Sequence, residues 1–314
     1  MHLPPFVAQA PLPTIPPESA MDAWAGVSVV VPVYNEQDAV VPVLTELLEV
    51  LDRELAGQIA YELIVVDDGS TDRTPEALAT LPAERVRAFR HPRNRGYGAA
   101  LKTGIARARQ PWILITDADG TYPNAQIPEL LRHRSDYEMV VGSRAGSSAH
   151  EPFLRRLAKG MLRRLASYLS RTEIPDLNSG FRVFRKDLAR AFQRVLPDRF
   201  SYTTTITLAL FSAGYQVKYV PIEYRKRTGR SKIRPIADTV EFSKLIVRTI
   251  LYFDPLRVVL PVAGLFMLAA LIVGLVSAFV FNRLMDVTTL VLFVTGFQLL
   301  ALGMLADMLN RRLP

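Results

Sequence analysis

The chain has 314 residues, enough for one large core or two smaller ones, and a net charge of +8, with much of the basic excess in its second half. It contains no cysteine, which excludes disulfides and thiolate metal sites and fits a reducing compartment. Its four histidines (His2, His91, His133 and His150) have no zinc-site spacing.

The first 25 residues hold six prolines, at positions 4, 5, 11, 13, 16 and 17. No apolar run follows a basic start, so residues 1–26 read as a disordered Pro-rich tail and not as a secretory signal. From Val27 to about Tyr224, strand-like and helix-like segments alternate as in an α/β domain. Val27 to Val33 predicts the first strand and Tyr34-Asn35-Glu36 a polar turn. A helix from about Gln37 to Leu55 follows, with Val40, Val43, Leu44, Leu47, Leu48 and Leu51 on its inner face. The second strand, from Tyr61, ends at Asp67-Asp68, and Gly69 to Pro75 forms a turn and helix start. A short strand near Val86 to Phe89 comes next, and Asn94-Arg95-Gly96-Tyr97-Gly98 opens a helix over about Ala99 to Arg109. The strand Trp112 to Thr116 then ends at Asp117-Ala118-Asp119.

Both acidic pairs follow near-continuous apolar runs, which marks strands covered on both faces. Carboxylates at the C-terminal edge of such strands lie where open α/β sheets bind ligands. Two pairs from one sheet can hold a nucleoside diphosphate at both ends, one at base or ribose, the other through a metal on the phosphates. Hard carboxylate oxygens suit Mg²⁺ or Mn²⁺.

The C-terminal part changes character. Residues 234–256 predict an amphipathic juxtamembrane helix, with Ile236, Val240, Ile246, Ile250 and Phe253 on roughly one side; packing against the preceding domain would give the same pattern. Within 257–314, Val258 to Phe281 is 24 residues without a charge and Val287 to Ala306 another 20. Each can cross a hydrocarbon core of about 30 Å, and the short loop Asn282 to Asp286 makes them a hairpin. Nine basic residues lie between Arg225 and Arg257, and Arg311 and Arg312 follow the second span. This asymmetry predicts the inner membrane, with both termini and the α/β domain of residues 27–233 in the cytoplasm.

Four stretches resemble the inverting glycosyltransferases of family 2, which have the GT-A fold: residues 30–36, 65–74, 94–104 and 117–123. Within that family the chain is similar to polyprenyl-phosphate glycosyltransferases, such as dolichol-phosphate mannose synthases and undecaprenyl-phosphate glucosyltransferases. Val-Gly-Ser-Arg (141–144), Asn-Ser-Gly-Phe-Arg-Val-Phe (178–184) and Arg-Thr-Gly-Arg-Ser-Lys (227–232) extend the likeness. The resemblance implies a Rossmann-like, mostly parallel sheet. It places Pro32, Tyr34, Glu36 and Asp68 at the nucleoside, with Asp67 either there or supporting the strand end. It sets Asp117 and Asp119 at the diphosphate and Mg²⁺ or Mn²⁺, with Asp119 the direct ligand. Mannose synthases of this group often carry a glutamine after their Asp-Ala-Asp; here Gly120-Thr121-Tyr122-Pro123 follows.

The implied donor is UDP-glucose or GDP-mannose and the implied acceptor a polyprenyl phosphate. A phosphate monoester is mostly dianionic at neutral pH and needs no base, whereas a sugar hydroxyl would need a carboxylate, for which Asp176 is the best candidate. Arg144, Ser179 and Arg182 are expected to cradle the acceptor phosphate, with Arg227, Arg230, Ser231 and Lys232 as a second basic element. Arg155, Arg156, Arg163 and Arg164 read as a lipid-facing basic surface.

Other readings are a family 2 enzyme acting on a saccharide or another lipid, and a non-catalytic nucleotide- or lipid-binding homologue. A processive synthase would carry Gln-x-x-Arg-Trp after the domain, which neither Trp24 nor Trp112 supplies. Retention of all four carboxylates argues against a binding-only protein. Nucleic acid is a poor partner for basic residues clustered beside a membrane. A homo-oligomer is compatible with all of this.

Overall fold

The computed structural model describes residues 26–144, 160, 164, 167, 173–199, 201–225, 251, 254–280 and 287–312. The Pro-rich tail, the basic residues Arg155, Arg156 and Arg163, the expected helix 234–256 as far as residue 250, and the acceptor candidates Arg227, Arg230, Ser231 and Lys232 lie outside them. The described residues fall into two compact units, 26–225 and 251–312.

The first unit is built on seven strands: β1 Val27–Val33, β2 Tyr61–Asp67, β3 Val86–Arg90, β4 Trp112–Ile115, β5 Met139–Ser143, β6 Arg182–Arg185 and β7 Val217–Pro221. Their order is β3-β2-β1-β4-β6-β5-β7. β1 pairs in parallel with both β2 and β4, and β2 with β3. β6 runs antiparallel to β4 and β5, and β5 pairs in parallel with β7. This is the mostly parallel, Rossmann-like sheet of the GT-A fold. The strand order reverses at β1, so the ends of β1, β2 and β4 border the crevice where such sheets take ligands.

Helices cover both faces. α1 (Val40–Leu55) presents Val40, Val43, Leu44, Leu47, Leu48 and Leu51 at helical spacing to the core. All of these but Val43 pack with Val29, Val31, Leu63, Val65 and Leu114, the alternate residues that a strand turns to one face. The helix starts at Val40 and not Gln37, because Glu36 O accepts from Ala39 N (3.1 Å) and Val40 N (2.9 Å) in a tight turn. Beyond β2 lies the short α2 (Thr74–Leu78). On the opposite face α3 (Tyr97–Arg107) lies against β1 so closely that a Cβ at Gly104 would stand 2.4 Å from Val30 Cγ1. α4 (Ile127–Arg132) follows β4, α5 (Lys186–Ala191) follows β6, and α6 (Tyr202–Ser212) precedes β7. α6 is unusual: Thr203, Thr204, Thr205 and Thr207 are all buried.

The edge of the sheet away from the crevice is fastened by Glu62. Its carboxylate accepts from Ser28 Oγ (2.6 Å) and Arg109 N (2.5 Å) and also pairs with Arg87. Burial opposes its ionisation, but these donors outweigh burial and hold the carboxyl below its usual range.

The second unit contains α7 (Pro255–Phe279) and α8 (Val287–Arg312), both long and apolar enough to cross a membrane. Leu265, Leu271 and Phe279 are exposed, whereas the small residues Ala263, Ala270 and Ser277 are buried at intervals of seven. Thr289, Gly296 and Gly303 repeat that interval on α8 and lie against Gly274, Ala263 and Met267, and Val259. Small residues let two apolar helices approach closely where no hydrophobic effect drives them together.

Gly104→Ala should lower stability by about 1–3 kcal/mol through overpacking against Val30. Thermal unfolding of the full-length protein in detergent checks this; an unchanged midpoint would contradict the close packing of α3 on β1.

Candidate active site

The site begins with two loops that lock each other. Asn35, after β1, adopts φ +53°, a left-handed conformation that few side chains other than asparagine and aspartate tolerate. Its N–H donates to Ser70 Oγ (3.0 Å), and its Oδ1 accepts from Thr71 N (2.9 Å). Glu36 N donates to Thr74 Oγ1 (2.9 Å), while Asp72 Oδ1 accepts from Thr74 N (3.0 Å). Most of Ser70-Thr71-Asp72-Arg73-Thr74 thus serves to hold Tyr34-Asn35-Glu36 against the end of β2. Pro32 is buried in β1 opposite Val66, and Tyr34 and Glu36 are half-buried at the crevice.

Asp67 and Asp68 divide their work. Asp67, buried at the last position of β2, accepts from Ser70 N (2.9 Å) and pairs with the exposed Arg90 (3.1 Å). Asp68 is also buried. Its Oδ1 accepts from Arg95 N (3.0 Å) and lies 2.7 Å from His91 Nδ1, and its Oδ2 accepts from Gly96 N (2.7 Å). His91 in turn reaches Thr103 Oγ1 at 2.9 Å. Gly96 (φ +108°) and Gly98 bring this loop against residues 197–199: a Cβ at Gly98 would stand 2.2 Å from Pro197 O. The glycines of the 94–104 stretch are therefore packing requirements.

Asp117 and Asp119 are half-buried on the loop after β4. Asp117 Oδ1 accepts from Tyr97 Oη (3.1 Å), and Asp119 Oδ1 accepts from Thr121 Oγ1 (2.6 Å) and Thr121 N (3.1 Å). Gly180 presses on Asp117; a Cβ there would lie 3.2 Å from both carboxylate oxygens. Among the described residues no group of three or more His, Cys, Asp or Glu could cage an ion. Two partly exposed carboxylates on one loop are nevertheless what Mg²⁺ or Mn²⁺ takes from a protein when phosphates and water complete its shell. The donor set fits.

The acceptor candidates are gathered by β5 and β6. Arg144 donates from Nε (2.7 Å) and Nη2 (2.9 Å) to the two oxygens of Asp176, and its guanidinium stacks on Tyr224 at 5.3 Å. Burial opposes ionisation of both partners. The paired charges and hydrogen bonds outweigh it, raising the Arg144 pKa and holding the Asp176 carboxyl below its usual range. Asp176 is therefore a structural counter-ion and a poor general base. Ser179 is fully buried and its hydroxyl has no hydrogen-bond partner among the described residues.

Arg182 departs from expectation. It is fully buried and points into the core, donating to Ser179 O (2.9 Å), Thr203 O (3.0 Å) and Thr207 Oγ1 (2.9 Å). A guanidinium enclosed this way is not a phosphate ligand in this geometry. It fixes the Ser179–Gly180 peptide, whose N–H donates to Tyr122 Oη (2.7 Å) from the other side. Thr203 and Thr207 of α6 are thus among its acceptors. After β7, Ile222 N bonds Ser143 O (2.9 Å) and Arg225 N bonds Thr121 O (2.9 Å), returning the chain to the Asp119 loop.

Three site residues escaped sequence reading. Tyr97 and Tyr122 lie inside two of the recognised stretches but are apolar-looking there, and His91 has no metal-site spacing. Only tertiary contact shows that their polar atoms meet Asp117, Gly180 and Asp68.

With this geometry in place, comparison with known proteins is informative. The glycosyl transferase family 2 model matches residues 28–192, and a GtrB C-terminal hairpin model matches residues 254–311, which coincide with α7 and α8. A dolichyl-phosphate hexose transferase of Haloferax volcanii is 32% identical over 71% of this chain and 93% of its own length. The dolichyl-phosphate beta-glucosyltransferase of Homo sapiens is 31% identical over 69% of this chain and 72% of that one. A crystal structure of glucosyl-3-phosphoglycerate synthase from Mycobacterium tuberculosis, with Mn²⁺, UDP and glucosyl-3-phosphoglycerate, shares the fold. Its TM-score is 0.53 at 20% identity, over 73% of this chain and 80% of that one. The protein belongs to glycosyltransferase family 2. Its relatives place it with the enzymes that make polyprenyl-phosphate sugars, and its two C-terminal apolar helices match the GtrB hairpin.

The Arg144–Asp176 pair has a pH signature. The Asp176 carboxyl lies below its unfolded value of about 3.9, so its contribution is complete above that pH and is lost as pH falls through the folded value. Arg144→Met leaves an unpaired buried carboxylate and should cost about 3 kcal/mol near pH 7. The deficit should shrink on acidification, as Asp176 takes up a proton. Urea unfolding from pH 4 to 8 checks this; a deficit independent of pH would contradict the pairing.

Proposed function

We propose that this protein transfers a hexose, with inversion, from a nucleoside-diphosphate sugar to a polyprenyl phosphate at the cytoplasmic face of the inner membrane. The observation that carries the choice of acceptor is the Arg144–Asp176 pair. The carboxylate nearest the Asn178-Ser179-Gly180 turn is bound at both oxygens, by Nε and Nη2 of Arg144, and is a poor base. An acceptor that arrives already ionised requires none.

In the proposed reaction an oxygen of the lipid phosphate attacks the anomeric carbon. The bond from that carbon to the diphosphate breaks, and the nucleoside diphosphate leaves with the electron pair. The crevice edge formed by Pro32, Tyr34, Glu36 and Asp68 lines the nucleoside, and Asp67 either joins them or supports the end of β2. Asp117 and Asp119 hold a divalent cation of the Mg²⁺ or Mn²⁺ type, which when bound offsets charge on the departing diphosphate. Arg144 and Ser179 face the acceptor phosphate, and Arg182 holds Ser179 in position. Arg227, Arg230, Ser231 and Lys232 extend this basic element; they begin two residues beyond Arg225, which is bonded to the Asp119 loop, a reach of about 7 Å.

The donor is UDP-glucose or GDP-mannose, with relatives named as beta-glucosyltransferases favouring glucose and an inverted product. The excess of basic residues on the flanks of the hairpin supports the cytoplasmic assignment.

Purified protein incubated with labelled UDP-glucose or GDP-mannose, undecaprenyl phosphate and Mn²⁺ should yield labelled lipid. Chelation should abolish the product and added Mn²⁺ restore it, and Asp119→Ala should lower the rate by at least about a hundredfold. Equal labelling by Asp119→Ala and wild type would remove the metal assignment. Labelled saccharide without labelled lipid would remove the acceptor assignment.

A further inference from the structure

One short segment touches both acidic pairs. Arg95 N and Gly96 N hold the Asp68 carboxylate, and the next residue, Tyr97, donates its hydroxyl to Asp117 Oδ1 at 3.1 Å. Asp68 follows β2 and Asp117 follows β4, with β1 between those strands. The segment therefore crosses the end of the strand that separates the two halves of the donor crevice.

Both anchors are fixed independently. At the Asp68 end, His91 joins Asp68 Oδ1 (2.7 Å) to Thr103 Oγ1 (2.9 Å) on α3. At the Asp117 end, Gly180 supplies the room: a Cβ there would stand 2.8 Å from Tyr97 Oη and 3.2 Å from each Asp117 carboxylate oxygen. A phenol hydroxyl carries its proton at neutral pH and a carboxylate only accepts, so Tyr97 is the donor in this contact.

We propose that Tyr97 is a positioning residue: its hydroxyl fixes the rotation of the Asp117 carboxylate and thereby couples nucleotide binding at the Asp68 end to divalent-cation binding at the Asp117–Asp119 end. The proposal rests on the donor-site reading given above. Nucleoside contacts need nothing from the Tyr97 hydroxyl and survive its removal. Cation and diphosphate contacts need an aimed Asp117 and weaken. Linkage makes the coupling measurable from either side, because the factor by which Mn²⁺ tightens the nucleotide equals the factor by which the nucleotide tightens Mn²⁺.

The experiment is calorimetric titration of the full-length protein in detergent with UDP and with GDP, each with and without Mn²⁺. In Tyr97→Phe the Mn²⁺-dependent tightening should fall by about tenfold, the scale of one hydrogen bond to a charged group, while affinity without Mn²⁺ stays unchanged. Gly180→Ala pushes a methyl into the same contact without removing a polar group. It should reproduce the loss, and the double variant should lose no more than Tyr97→Phe alone. Wild-type tightening in Tyr97→Phe would overturn the proposal, as would equal weakening with and without Mn²⁺, which marks a merely structural role. If neither nucleotide is tightened by Mn²⁺ in the wild type, the cation reading of Asp117–Asp119 falls, and the coupling with it.

Discussion

The crevice depends on how buried carboxylates at the ends of adjacent parallel strands are held. Asp67 and Asp68 are almost fully enclosed, and a carboxylate in that position is stable only when its oxygens are matched by donors. The chain supplies them from loops: Ser70 N for one oxygen of Asp67, whose other oxygen has only the Arg90 charge beside it, and Arg95 N, Gly96 N and His91 for Asp68. Satisfying the acids therefore also folds the loops. The shape of the crevice therefore follows from charge satisfaction as much as from apolar packing.

The reversed strand β6 gives the site its second half. Because it runs antiparallel between β4 and β5, it carries the turn Asn178-Ser179-Gly180 to the same crevice edge as Asp117 and Asp119. The turn is fastened from two directions, by buried Arg182 on its carbonyl and by Tyr122 on its amide. Arg182 illustrates how residue type alone misleads. An arginine in a phosphate-handling enzyme invites assignment to the phosphate, yet this one spends its donors on a carbonyl of its own turn and on α6. Two of the four buried threonines of that helix become intelligible through the same contact: the Thr203 carbonyl and the Thr207 hydroxyl accept from the buried cation, while the Thr204 hydroxyl donates to Asn178.

The hairpin unit obeys different rules. Its large apolar side chains are exposed and its small ones buried, the reverse of a soluble core and suited to a surrounding apolar solvent. The interval of seven on both helices keeps one face of each in contact along their length.

Much of this was legible in the residues. Near-continuous apolar runs gave the strands β1, β2 and β4, acidic pairs marked the ends of β2 and β4, and two long uncharged stretches gave the hairpin, because each signal depends only on local composition and run length. The edges of elements were less legible: α1 starts three residues late because a turn at Glu36 competes with the helix. The direction of β6, the inward aim of Arg182, the pairing of Asp176 with Arg144, and the meeting of Tyr97 with Asp117 and Gly180 were decided by tertiary structure alone. These contacts join residues between 20 and 83 positions apart, and over that distance a side chain's partner is set by strand order and packing rather than by its neighbours in the chain.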